Sequence, residues 1–225
     1  MSGLRVVSWN VRSLRDDARG VARVLADLAP DVALLQEAPR LLGSRCANRR
    51  LARGAGLSRV TGGAVAHGNL LLVASRVAVR SARSVRLPKR PGLHRRGAVL
   101  GVVELAGARL AVTGTHLDLD PAARLDSARR VRAAAARSGH PLVLGADVNE
   151  EPGGPAWAVL SAGLVDTAAA CGPTFPLRAP RRRIDVLLAD PRLVVQAVEV
   201  PRVGPVTDHL PLVLDLAWPP GRPPS

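Results

Sequence analysis

RLAVTGTHLDLDPAARLDSARRVRAAAARSGHPLVLGADVN, residues 109–149, is the stretch on which the fold turns. Residues 109–115 form an apolar run that reads as a buried strand. Residues 121–137 read as an amphipathic helix, with Pro121 in the first turn and Gly139 past the end. Residues 142–145 are a second apolar strand. Strand, helix and strand make a crossover, whereas residues 98–105 meet residues 109–115 across Ala106-Gly107-Ala108, a hairpin signal. Crossovers beside hairpins imply mixed sheets.

The same alternation extends outward. Residues 4–9, 31–36 and 70–74 read as buried strands, and Val77, Val79, Val85 and Leu87 as a further strand expected beside residues 70–74. Asp16-Asp17 can cap a helix in which Val21, Val24, Leu25 and Leu28 recur at helical spacing, ended by Pro30. Residues 39–56 are Arg-rich and ambiguous, and 88–96 form a basic Pro/Gly loop. Gly153-Gly154-Pro155 opens a short helix, and residues 184–188, 193–200 and 210–216 are strands. About ten strands and three or four helices in 225 residues, 47% of them apolar, suit one α/β domain over 1–217. Residues 218–225 read as a Pro-rich flexible tail.

No apolar run approaches the length of a membrane span, and no signal peptide is visible. Cys46 and Cys171 are too few for a disulfide scaffold, so a reduced cytoplasmic protein is expected. The net charge of +14 favours polyanions as partners. Lys89 is the only lysine and tyrosine is absent, so compositional bias competes with that reading. No protein partner is legible.

Polar residues gather where strands end: Asn10, Glu37, His116, Asp147, Asn149 and the pair Asp208-His209. Each alone reads most simply as a turn former or a hydrogen-bonded structural residue. Asp185 differs, because it lies inside an apolar strand, where an unpaired carboxylate costs several kcal/mol or is protonated. It requires a partner, and a histidine suits.

Nine stretches carry these residues in one order: VVSWNVRSL, DVALLQEAPR, HGNLLLVASR, HRRGAVLGVVEL, LAVTGTHLD, PLVLGADVNEEP, GLVDTAAACGPTFP, RRRIDVLLAD and VTDHLPLVLDL, over residues 6–216. In this the chain resembles the endonuclease/exonuclease/phosphatase, or DNase I-like, superfamily. The resemblance implies a four-layer sandwich of two mixed β-sheets flanked by helices, and Mg²⁺-dependent, sometimes Mn²⁺-dependent, cleavage of phosphoesters. It implies metal binding by Glu37, Asn10 and Asp208, and a catalytic His209 paired with Asp185. It makes Asp147 and Asn149 an Asp-x-Asn pair, with both side chains expected to face one phosphate and Asn149 donating to a phosphoryl oxygen. It gives His116 a role at the phosphate or leaving group and Arg96 a role in phosphate binding. Water attacks phosphorus in line, with either His209 or Asp147 taking its proton.

The chain departs from the pattern in lacking tyrosine, for which His67 can substitute, and in showing no acidic partner for His116 near His67. The expected activity is a phosphodiesterase, most simply a nuclease acting on nucleic acid. A phospholipid head-group or small-molecule phosphatase keeps the same residues, and a non-catalytic basic nucleic-acid-binding module is the reading of another class.

Overall fold

The computed structural model describes residues 3–219. It has twelve strands: β1 (Gly3–Asn10), β2 (Val32–Gln36), β3 (Ser58–Gly62), β4 (Leu70–Val73), β5 (Ala78–Arg86), β6 (Gly97–Leu105), β7 (Ala108–His116), β8 (Leu142–Asp147), β9 (Val165–Asp166), β10 (Asp185–Ala189), β11 (Val195–Glu199) and β12 (Leu212–Ala217). The α-helices are α1 (Ala18–Leu28), α2 (Ser44–Gly54), α3 (Pro121–Ala136) and α4 (Pro155–Ser161). The ambiguous residues 39–56 thus hold α2. The polar edge strand β3 and the two-residue β9 lack the apolar run by which the others are legible.

Two six-stranded sheets form, in the orders β11-β12-β1-β2-β4-β3 and β5-β6-β7-β8-β10-β9. Each is antiparallel except at one parallel pair, β1–β2 or β7–β8, whose strands are joined by α1 or α3. Both helices begin on an aspartate: Asp17 accepts from Gly20 N at 2.8 Å and Asp120 from Ala123 N at 2.7 Å.

Successive residues along a strand face opposite ways, and both faces of the central strands are covered, so these strands read as continuous apolar runs, unlike the exposed edge strands β5 and β11. Leu4, Val6, Leu34, Val99, Val112, Val143, Leu187 and Leu214 fill the space between the sheets. Val7, Trp9, Leu35 and Leu72 pack under α1 and α2, and Leu100, Leu144, Val186 and Leu188 under α3 and α4. This is the four-layer sandwich. The sheets approach closely at Gly145, where a Cβ would lie 2.6 Å from Ser8 Oγ. Trp218, grouped with the flexible tail from its sequence, belongs to the core: it is 2% exposed and donates from Nε1 to Leu105 O at 2.7 Å. Residues 220–225 of that tail lie outside the described residues.

Candidate active site

The sheets deliver the site residues through one construction, used twice. In each, two parallel strands end beside the start of an antiparallel neighbour. β1 ends at Asn10, Glu37 follows β2, and Asp208-His209 precede β12. β7 ends at His116, β8 ends at Asp147 and β10 begins at Asp185. His116 pairs with Asp147 and Asp147 with Asp185, so the three form a row across adjacent strands.

These residues meet at a cavity of about 510 Å³ whose walls include Glu37, Arg40, His67, Arg96, His116, Asp147, Asn149, Asp208 and His209. Four of the five histidines of the chain line it. So do Ser13, Glu37, His67 and Asn149, four of the eight non-glycine residues with positive φ among the described residues. Backbone strain is thus concentrated where side chains must be aimed.

Asp185 has the partner its burial demands. Its Oδ2 lies 2.9 Å from His209 Nδ1 and accepts from Thr174 Oγ1 at 2.5 Å, while Oδ1 has no partner. His209 is fixed further by Trp9, whose Nε1 donates to its carbonyl at 2.9 Å, and by the Phe175 ring at 4.7 Å. Burial alone would lower the His209 pKa, but Asp185, Asp147 and Asp208 outweigh it and raise it to about 10. His209 is therefore an imidazolium at neutral pH.

Asp147 is the hub. Its Oδ2 accepts from Asn10 Nδ2 at 2.8 Å and lies 3.5 Å from His116 Nε2 and 3.8 Å from His209 Nε2. Its Oδ1 accepts from Asn149 N at 3.1 Å, which closes a turn with Asn149 at φ 55°. The chain is therefore not extended from Asp147 to Asn149, and the two side chains do not share a face by alternation. Asn149 Nδ2 instead points to His116 Nε2 at 2.8 Å and to Leu117 O at 3.0 Å. Both amide N–H groups are engaged with protein groups in this arrangement. Burial, with Arg96, His209 and Arg40 adding to it against Asp147, lowers the His116 pKa to about 3. His116 is neutral, and its Nε2 accepts from Asn149.

Arg96 is held by Asp118, Nε to Oδ2 at 3.4 Å, and its other guanidinium N–H groups have no protein partner. His67 lines the cavity, and burial with Arg40, Arg86 and Arg95 nearby lowers its pKa, so it too is uncharged. The carboxylates facing His116 are Glu37, at 3.8 Å, and Asp147; the first follows β2, far in sequence from His67.

A hard divalent cation seeks carboxylate oxygen, with water and substrate completing its shell. Glu37 offers this. Its Oε1 accepts from Asn10 Nδ2 at 3.2 Å, and its one ion-pair contact among the described residues is the neutral His116. Asp208 also lines the cavity, with Oδ2 3.2 Å from Arg12 Nε. Asn10 Oδ1 accepts from Arg12 N at 3.0 Å, so its amide nitrogen faces the carboxylates and bridges Glu37 to Asp147. Asp147, Asp185 and His209 also bring ligand atoms within 4.8 Å of one another. There His209 Nδ1 is already spent on Asp185, whereas the Glu37 carboxylate is the less encumbered oxygen ligand.

Sequence reasoning passed over Thr174, Phe175, Asp118 and the pair Arg124–Glu150. Glu150 Oε2 accepts from Ala156 N and Trp157 N, while Oε1 takes Arg124 Nε at 3.1 Å. Arg124 in turn donates to Asp118 O and Leu119 O. This buried pair ties the loop after β7 to the loop after β8. The available signal was Phe175, the only phenylalanine in the chain.

The model of the Endonuclease/Exonuclease/phosphatase family matches residues 7–209. No curated protein matches the sequence. Among solved structures, an endonuclease/exonuclease/phosphatase family protein from Bacteroides thetaiotaomicron is similar at TM-score 0.80 and 18% identity, covering 96% of this chain and 97% of that one. A mannosyl-6-phosphatase from the same species is similar at TM-score 0.80 and 16% identity, over 96% and 100%. The D. rerio TDP2 structure with a single-strand DNA product gives TM-score 0.80 and 20% identity, over 96% and 100%. At these identities the structures speak for the fold. The family match spans both strand-end clusters and nearly the whole sandwich, and the chain belongs to the Endonuclease/Exonuclease/phosphatase family.

Proposed function

We propose that the chain is a divalent-metal phosphoester hydrolase acting on a phosphodiester. The observation that carries this reading is His209 bonded to Asp185 and facing Asp147 across the cavity floor, a set of carboxylates that favours its charged form. A protonated imidazole cannot take a proton from water, so Asp147 is the base and His209 the electrophile. Asp147 takes the proton of a water aligned behind phosphorus, the new P–O bond forms, and the bond to the leaving oxygen breaks. The His209 Nε2–H and the free N–H groups of Arg96 stabilise the negative charge that develops on the phosphoryl oxygens. Asn10 holds Asp147 and Glu37 in register. His116 is a neutral support that acts through Asn149. A Mg²⁺ or Mn²⁺ ion at Glu37, with Asp208 nearby, would offset charge on the phosphoryl and leaving oxygens.

The diester preference rests on the placement of positive charge. Arg15, Arg40 and Arg182 line the cavity together with Arg96, Arg182 being paired with Glu151. More guanidinium groups than one phosphoryl group needs suit a substrate that continues beyond the phosphorus, as nucleic acid or a lipid head group does.

Turnover of bis(4-nitrophenyl) phosphate, 4-nitrophenyl phosphate and plasmid DNA, with Mg²⁺, Mn²⁺ or EDTA, tests the reading beside His209→Ala. Diester cleavage should require the metal and fall at least about 10³-fold in the variant. Turnover that survives EDTA, or that the variant retains, would overturn it.

A further inference from the structure

Three leucines are exposed among the described residues, one in the wall of this cavity and two in the segment that directly follows a wall residue. Leu119 lines it and is 68% exposed. Leu41 is 80% exposed and Leu42 entirely so, directly after Arg40, which also lines it. The Leu41–Leu42 tip is a built turn rather than a loose strand of chain. Asn48 Nδ2 donates to Pro39 O at 3.0 Å, Ala38 N to Gly68 O at 2.7 Å, and Ser44 N to Leu41 O at 3.0 Å. The backbone is held while two adjacent apolar side chains point away from the protein. Val65, 49% exposed, lies on the neighbouring segment that leads to His67.

Basic residues lie in the same cavity wall and near its His67. Arg15, Arg40, Arg86 and Arg95 are exposed and make no ion pair with a carboxylate. Arg15 and Arg40 line the cavity, and Arg95 lies between His94 and Arg96, which do too. Exposed leucines and arginines without carboxylate partners, in and beside one cavity wall, match a surface that is negative outside and apolar beneath. A phosphate backbone would use the arginines and leave the leucines in water. Base stacking would need aromatic rings, yet Trp9, Trp157 and Trp218 are buried and Phe175 packs on His209.

We propose that the rim formed by Leu41, Leu42 and Leu119 docks on an anionic lipid bilayer and presents the cavity to a phosphodiester in a lipid head group. The substrate assignment rests on the phosphoesterase reading above, whereas the docking does not.

Vesicle co-sedimentation in EDTA separates the two, because it needs no turnover. Full-length protein should sediment with vesicles of equal parts phosphatidylcholine and phosphatidylglycerol and remain in solution with phosphatidylcholine alone. Leu41→Ser/Leu42→Ser should weaken binding to the mixed vesicles at least about tenfold at physiological salt, with its melting temperature retained. Arg40→Gln/Arg95→Gln should weaken it too and flatten its salt dependence. Wild type that ignores the mixed vesicles, or a leucine variant that binds them as well as wild type, overturns the docking. So does a dimer, seen by light scattering, that the leucine variant dissolves, or duplex DNA binding that the leucine variant loses. Wild-type turnover of bis(4-nitrophenyl) phosphate, measured apart, reports on the phosphoesterase reading alone.

Discussion

His209 and His116 occupy opposite ends of one cavity floor, at 5% and 7% exposure, with Asp147 within 4 Å of both, and they carry different charge. At the β10–β12 end, a second carboxylate is bonded directly to the ring: Asp185 Oδ2 at 2.9 Å from Nδ1. At the β7 end, the direct partner is the neutral amide of Asn149, with Arg96 and Arg40 opposing a further positive charge. Equal burial and a shared aspartate therefore do not decide the state of a histidine; the group bonded to the ring does. One fold, using the same strand-end construction in both sheets, surrounds two histidines with opposite electrostatics, and the proposed mechanism uses one as electrophile and the other as support.

The hardest test of that contrast is Asp185→Asn. The amide keeps the shape and removes the charge that holds His209 protonated. Activity should fall about 10³-fold or more. The sign of the pH effect is fixed as well. Wild-type activity that needs imidazolium declines only as pH rises through about 10. In the variant that decline should move to lower pH. An unchanged pH–rate profile would show that Asp185 does not set the state of His209.

His116→Asn should cost less, about 10²-fold, and leave the alkaline limb where it was. The remaining groups that support Asp147, Asn10 Nδ2 and Asn149 N, are untouched by it. A loss as deep as that of Asp185→Asn would give His116 a direct part in the chemistry and erase the contrast.

Stability should report the two histidines in separate pH windows when unfolding is measured in EDTA. His209, with its folded pKa raised to about 10, contributes stability that is full below the unfolded value of about 6.5 and is lost as pH climbs toward 10. His116, with its folded pKa lowered to about 3, contributes stability that is full above about 6.5 and is lost as pH falls toward 3. Each window should show a slope of up to about 1.4 kcal/mol per pH unit. Asp185→Asn should act chiefly on the alkaline window and His116→Asn chiefly on the acid one.

The two ends were not equally legible from the amino-acid sequence. Asp185 stood out because a carboxylate inside an apolar strand has a large desolvation cost to offset, and the histidine required for it was found in Thr207-Asp208-His209. The central strands were legible because both of their faces are buried, whereas the edge strand β3 is polar and was not. The His116 end depends on backbone detail that alternation cannot supply. Asn149 turns into the left-handed region, Asp147 caps that turn, and the amide swings to His116. Asp118, Glu150 and Arg124 read as ordinary loop and helix-surface residues, because only folding brings the two loops together. Thr174 sat between prolines in a loop with no periodicity.

Thr174 sets the finest test. Its hydroxyl donates to the same Asp185 oxygen that holds His209, while the other oxygen of that carboxylate has no partner. Removing the hydroxyl leaves Asp185 with His209 as its only side-chain partner and lets the carboxylate rotate. Thr174→Val preserves volume and should lose about 1–2 kcal/mol of stability with a fall in kcat of about fivefold. Thr174→Ser keeps the donor and should recover most of both. If the hydroxyl matters only for packing, Ser and Val should rank by size, with Val the better substitute. If it fixes the carboxylate, Ser outperforms Val despite its smaller volume. That ordering shows whether the charged histidine depends on Asp185 being present or on how Asp185 is aimed.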